Sequence, residues 1–192
     1  MRDSVAVVAE LVADIVPADP LEAEHRADTL RWLSGTDDVF RRARPATPAR
    51  HLVSYVVPVD PDDGGVLLVD HVNAGLWLPP GGHVEPDEHP AATARREAHE
   101  ELGLVLAEHA VAEVPAFLTV TRTVGIDAGH TDVSLWYVVE VRRDQRLDPE
   151  QGEFRAARWW SPAELSGTDP ARFDPHFGRF RAKLSGRPSA GT

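Results

Sequence analysis

The run from Gly81 to Leu104, GGHVEPDEHPAATARREAHEELGL, decides how the rest of the chain is read. Pro90 suits a first helical position, because its missing N–H would be unpaired there in any case. Gly103 suits the position just past the end, where glycine takes a left-handed conformation at little cost. Between them Ala91, Ala94, Ala98 and Leu102 recur at spacings of three and four, the apolar stripe of a helix lying on a core. The stripe is mostly alanine, so the helix can approach its neighbour closely. Glu97, Glu100 and Glu101 stand at i, i+3 and i+4 and converge on another face.

Like charges at this spacing destabilise a helix by roughly 0.2–0.5 kcal/mol per pair. These three also lie in the last turn, where the helix dipole disfavours negative charge. A hard divalent ion such as Mg²⁺ or Mn²⁺ takes oxygen ligands and would turn the repulsion into coordination. Three glutamates alone would read as a solvated acidic face. Their surroundings change that reading.

The surrounding pattern resembles the signature box of the Nudix (MutT-like) hydrolases. That motif is a Gly, five residues, a Glu, seven residues, Arg-Glu, a bulky aliphatic, any residue, Glu-Glu, any residue, Gly and an aliphatic. Here it falls on Gly82, Glu88, Arg96, Glu97, Ala98, Glu100, Glu101, Gly103 and Leu104. One position departs: Ala98 stands where Ile, Leu or Val is usual. It lies on the apolar stripe, so the change concerns packing rather than chemistry.

Working outward, composition sets the limits. A chain of 192 residues accommodates one domain with a full core plus an extension. Hydrophobic content of 42% and charged content of 27% are ordinary for a globular protein. The N-terminus, MRDSVAVVAELVADIVPADP, carries Asp3 and Glu10 through its apolar part, an amphipathic helix pattern and not a signal peptide. No apolar run approaches a membrane span. With no cysteine, disulfides, thiol catalysis and cysteine-ligated zinc are excluded. Cytoplasm is the default location. A net charge of −11 argues against a nucleic-acid polymer as partner, since phosphate backbones are bound through clustered Lys and Arg. A small phosphorylated substrate remains compatible, because a metal ion can supply positive charge locally.

Residues 1–48 read as a helical N-terminal extension and 49–192 as the hydrolase domain. Ser4 to Val16 has Val5, Val8, Leu11, Val12 and Ile15 on one face. Asp19-Pro20 is a cap-then-proline start for a second helix ending near Ser34-Gly35. A third short helix is expected from Asp37 to Arg44. The stretch RRARPATPAR then reads as a linker or crossing loop, with reach to a substrate phosphate as the alternative. The extension either packs on the core or makes a homodimer contact.

Strands are expected at Leu52–Val59, Val66–Asp70, Phe117–Val124, Thr131–Val141 and Phe154–Trp160. Pro79 to Gly82 reads as a stiff loop into the box helix. A short helix should begin at Ser161-Pro162, and DPHFGRFRAKL should close the chain as a helix with Phe177, Phe180 and Leu184 inward. This order indicates a layered α/β domain. The resemblance implies the Nudix α/β/α sandwich with a mixed sheet, over roughly residues 50–185.

What the resemblance implies chemically is Mg²⁺-dependent hydrolysis of a nucleoside diphosphate linked to another group X. Hydrolysing a diphosphate needs the phosphate charge neutralised and a water aimed in line, and divalent ions serve both needs. Glu97, Glu100 and Glu101 would be metal ligands, with the Gly81 carbonyl as a further donor. Arg96 and Glu88 would orient them through an ion pair between loop and helix. Glu153 is the candidate for a further glutamate completing the shell, with Glu150 in reserve, and Glu100 is favoured as the base. Trp77, Phe117 and Trp136 are candidates to stack a nucleobase. Trp136 shares a strand face with Asp132 and Ser134, and His130 and Asp132 sit at a strand start where polar groups often reach a site. His83 reads as a loop residue only. The expected substrate is a nucleoside triphosphate, an oxidised one such as 8-oxo-dGTP included. A nucleotide-sensing module without turnover is the alternative, though such modules commonly lose box glutamates. An isopentenyl-diphosphate isomerase of the same fold would need a cysteine.

Overall fold

The computed structural model describes residues 4–43, 47–125, 129–150 and 152–186. The elements run α1 (Ser4–Asp14), α2 (Pro20–Leu33), β1 (Arg50–Val59), β2 (Val66–His71), β3 (Leu76–Leu78), β4 (Gly81–His83) and α3 (Pro90–Leu102). They continue with β5 (Phe117–Arg122), β6 (Thr131–Glu140), β7 (Phe154–Trp160), α4 (Pro162–Gly167) and α5 (Phe177–Ser185). No helix among the described residues is long and apolar enough to cross a membrane.

The seven strands of the described residues form one mixed sheet: five run in the order β3-β2-β1-β6-β5, while β4 also pairs with β1 and β7 with β2. β1 and β6 are parallel over their whole length, and the other pairs are antiparallel. One edge of β1 is divided: β4 pairs with it at residues 53–55, and β2 meets it at Val59. The box helix therefore follows a strand on β1 after one short loop, residues 84–89.

Two cores flank the sheet, which makes the layers helix, sheet, helix. On one side the α3 stripe Ala91, Ala94, Ala98 and Leu102 packs with Leu52, Val56, Val133 and Leu135, and α1 adds Val5, Val8 and Val12. On the other, α5 places Phe177 and Phe180 against an aromatic cluster of Trp77, Phe117, Trp136 and Trp160. The expected mixed-sheet α/β architecture with a helical N-terminal piece is what forms.

The extension is bound into the fold, and its seat is the open edge of β5. Glu22 of α2 accepts the Leu118 N–H at 3.3 Å, and His25 Nδ1 accepts the Val120 N–H at 3.3 Å. Edge N–H groups that would otherwise face solvent are thereby paired. Two expectations need correcting. Residues 37–43 form no helix, because Val39 is drawn into the core and its carbonyl accepts the Leu52 N–H at 2.9 Å. Arg44 lies outside the described residues. Pro79 to Gly82 is not all loop: Gly81–His83 is a strand, since the free edge of β1 opposite Val53–Tyr55 offers it a ladder.

Candidate active site

The box helix starts and stops as its sequence dictates. Pro90 occupies the first turn, His89 caps it by accepting the Ala91 N–H, and Gly103 closes it in the left-handed region at φ 68°. Ser54 on β1 donates to the Pro90 carbonyl at 2.7 Å, which fixes the helix against the strand. A Cβ at Gly82 would overlap the Glu97 carboxylate, so glycine here leaves that carboxylate its place beside β4.

Arg96 is the hub. Its Nε and Nη2 reach the two oxygens of Glu88 at 3.0 Å each, a bidentate pair that joins the preceding loop to the helix. Nη1 reaches Glu97 at 2.7 Å and Glu100 at 3.0 Å, and Nη2 also donates to the His83 carbonyl at 3.2 Å. One guanidinium thus orients three carboxylates and β4. Burial alone would raise the Glu88 carboxyl, but hydrogen bonds from Arg96, the Thr93 hydroxyl and the Glu85 N–H hold it below its ordinary value. Arg96 is held charged, chiefly by its bond to Glu88.

The remaining carboxylates behave differently. Glu101 is almost wholly buried and accepts the Gly81 N–H at 2.8 Å. Burial, reinforced by Glu97, Glu153 and Glu150, pushes it up to about 9, with the Gly81 bond opposing. Glu97 is also raised by burial, against the pull of Arg96. Glu100 is about half exposed. Glu150 and Glu153 arrive on the segment after β6, which docks on the helix end: the Asp148 and Glu150 N–H groups donate to the Leu102 and Glu101 carbonyls, each at 2.9 Å. Glu153 lies 3.4 Å from His71 Nε2.

These groups open onto a cleft of about 560 Å³. Gly81, Gly82, Arg96, Glu97, Glu100, Glu101, Glu150 and Glu153 line it, as do His130 and Asp132 across from them on β6 and the turn before it. Glu88 and Gly103 stand behind the wall. Trp77 and Trp136 do not line the cleft. Both belong to the second core; Trp136 lies on the same β6 face as Asp132 and Ser134 but further along it, fully buried beside Phe117 and Phe180 with its Nε1 bonded to Thr119 at 3.0 Å. Their assignment to base stacking is corrected on that ground: neither ring has a free face on the cleft. Phe117, in the same core, is likewise unavailable.

Other residues reach the cleft without having been singled out. Arg122, at the end of β5, brings positive charge to it, and Tyr55 and Asp174 complete its wall; Arg41, from the stretch whose arginines are the alternative candidates to reach a phosphate, lines it too. The other described arginines of that stretch are engaged elsewhere: Arg42 with Asp38, and Arg50 with Asp28 and the Trp32 ring. His83 also lines the cleft, beside His130 and Asp132. Its neighbours lie on strands far apart in the chain, so no local pattern marks it.

The donor set fits a hard divalent cation. Several carboxylates converge, two of them are raised by burial among like charges, and every ligand atom they offer is oxygen. A buried carboxyl pushed to about 9 beside other carboxylates is a site short of positive charge.

Comparison with known proteins bears on the family and the fold. The model of the NUDIX domain matches residues 49–184. Nudix hydrolase 25 of Arabidopsis thaliana is 31% identical over 120 residues, covering 54% of this chain and 68% of that protein. The m7GpppN-mRNA hydrolase NUDT17 of Bos taurus is 34% identical over 101 residues, but that match spans 48% of this chain and only 33% of the relative. Among solved structures, a NUDIX-family hydrolase from Clostridium perfringens superposes with a TM-score of 0.54 at 24% identity, covering 71% of this chain and 97% of the other.

Proposed function

We propose, from the premise that this chain belongs to the NUDIX family of phosphoric-anhydride hydrolases, that its substrate is a nucleoside triphosphate and its metal Mg²⁺. The observation that carries the proposal is the Arg96 hub, which gathers Glu88, Glu97 and Glu100 beside buried Glu101 at one cleft. At about 560 Å³ the cleft falls within the usual range of roughly 300–1,000 Å³ for small-molecule sites. Arg41 and Arg122 would meet the phosphate chain there. The net charge of −11 disfavours a long polyanion.

Glu97, Glu100, Glu101 and Glu153, with the Gly81 carbonyl, would hold the metal. When bound, a divalent ion offsets the charge of the phosphate oxygens as they approach the acidic face. The chain's own residues do the rest. Arg96 keeps Glu97 and Glu100 in fixed rotamers, so that neither must be ordered when substrate arrives. The Gly81 N–H holds Glu101 in place. Glu100, the half-exposed member, is the proposed base: it takes a proton from a water whose oxygen attacks phosphorus, while the anhydride P–O bond breaks and its electrons leave with the departing phosphate.

Incubation of the protein with Mg²⁺ and a nucleotide panel that includes 8-oxo-dGTP, scored by product identity, tests the proposal. Release of pyrophosphate or phosphate from triphosphates, lost in Glu100→Gln with nucleotide binding kept, is expected. Turnover confined to sugar-linked or dinucleoside substrates would overturn the triphosphate assignment.

A further inference from the structure

A second, nitrogen-rich group stands beside the acidic cluster. His51 on β1, His83 at the end of β4, His130 just before β6 and Asp132 on β6 each offer one ligand atom, and the four atoms lie within 4.8 Å of one another. The sheet brings them together: His51 and Asp132 are Cα partners in the parallel β1–β6 ladder, and His83 pairs with Val53 two residues along β1. The rings are in contact, His51 with His83 at a centroid distance of 4.8 Å and with His130 at 4.9 Å.

The hydrogen bonds fix which nitrogens face inward. His51 Nδ1 lies 2.8 Å from the Pro48 carbonyl, which can only accept, so Nδ1 carries the proton and Nε2 presents a lone pair. Thr123 Oγ1 lies 3.2 Å from the His130 carbonyl and 3.1 Å from His130 Nδ1; with its hydrogen on the carbonyl it accepts from Nδ1, the arrangement that leaves His130 Nε2 bare as well. Both Nε2 atoms point at the same oxygen, Asp132 Oδ1, at 3.2 and 3.3 Å. The His51 side chain has no exposed surface, and its Nε2 and Asp132 Oδ1 have no hydrogen-bond partner. Lone pairs aimed at one another in a buried place need positive charge between them.

We propose that His51, His83, His130 and Asp132 form a tetrahedral transition-metal site, of the Zn²⁺ class, separate from the carboxylate site of the box. Imidazole nitrogen selects Zn²⁺ and its neighbours over Mg²⁺. Four protein ligands leave no open position, the arrangement of a structural site. The bonds from His51 to Pro48 and from His130 to Thr123 are the outer contacts that orient ligating histidines. Its role is a brace. The His83 carbonyl accepts from Arg96, so a metal holding the His83 ring would fix the strand on which the hub rests.

The test uses the tag-free full chain, stripped with chelator and titrated with Co²⁺ and with Zn²⁺. One equivalent of Co²⁺ should give the intense visible absorption of tetrahedral coordination, and Zn²⁺ should displace it and raise Tm. The signal should vanish in His130→Ala and persist in Glu97→Gln. Thr123→Val, which leaves every ligand in place, should weaken Co²⁺ binding by roughly 10–100-fold and covers the case in which His130→Ala does not fold. No bound equivalent, only the weak spectrum of octahedral oxygen coordination, or binding unaltered by Thr123→Val would overturn the site. Hydrolysis with Mg²⁺ is scored separately, so failure here leaves the proposed function standing.

Discussion

Lys183 Nζ lies 2.6 Å from Oε1 of Glu22, a carboxylate with no exposed surface. The pair joins α5 to α2 across 161 positions of sequence, and the same Glu22 oxygen accepts the Leu118 N–H on the edge of β5. A few residues away Arg179 grips Asp19 through both oxygens, at 2.6 and 2.9 Å. Two helices from opposite ends of the chain are thus clasped over one strand.

Lys183→Met should uncover the cost of that buried charge. Removing one partner of a buried pair typically costs about 3–5 kcal/mol. Glu22 keeps the Ala18 and Leu118 N–H groups, which argues for the lower end. The expected Tm loss is roughly 6–12 °C, with hydrolysis at low temperature unchanged because the clasp is remote from the box. Glu22→Gln in the same background should recover part of the loss. A Tm within error of the parent would show that the pair is not strained by burial.

Gly82→Ala tests the close approach of β4 to the box helix. The added methyl meets the far end of the Glu97 side chain, which can swing away at little cost in stability. What it loses is the position that Arg96 gave it. Misplacing a reacting group by about 1 Å can cost on the order of 100-fold in turnover, and that fall in kcat is expected here. Gly178→Ala, in α5 with open space around it, is the control and should leave kcat unchanged. A full-rate Gly82→Ala enzyme would remove Glu97 from the machinery.

Local patterns were legible in the sequence, and cross-chain meetings were not. Pro90, the alanine stripe and Gly103 bound the box helix by chemistry confined to one segment, and the helix forms at those limits. The strand run 131–140 alternates as written, yet alternation does not tell where along one face the cleft gives way to core. Trp136 shares a face with Asp132, but it sits four residues deeper, where α5 covers the sheet. His51, His83 and His130 are spread over some eighty positions and meet only through the parallel β1–β6 register and the short β4. Arg41 follows the same rule: its segment is held by Val39, whose carbonyl pairs with β1, and no periodicity announces that.

The helical clasp should be acid-labile in two stages. His176 is pushed down to about 4 by burial first, then by Arg179 and His25. The unfolded chain takes up that proton near 6.5 and the folded one only near 4, so stability falls as pH drops through this interval. Asp19 is held down to about 2, first by its hydrogen bond to Arg179. Its contribution is present above the unfolded value of 3.8 and is lost as pH falls toward 2. His25, lowered by burial and Arg179, adds in the same direction as His176. Urea midpoints between pH 7 and 3 should decline, and Arg179→Met should be less stable at pH 7 with a shallower decline below pH 4. Parallel curves for parent and variant would sever Arg179 from the acid response.

Ala98 is the one box position where this chain departs from the family's bulky aliphatic, and the structure gives a reason for the smaller residue. Its side chain is fully buried, and together with Ala91 and Ala94 it lets α3 settle onto β1 closely enough for Ser54 to bond the Pro90 carbonyl at 2.7 Å. Restoring the usual residue should therefore overfill the layer. Ala98→Leu is expected to cost about 1–3 kcal/mol, read as a lower urea midpoint with unchanged slope. Because α3 also carries the glutamates, lifting it from β1 should raise the Mg²⁺ concentration needed for half-maximal hydrolysis. A gain in stability would mean instead that the layer holds unused space at Ala98 and that the alanine is merely tolerated.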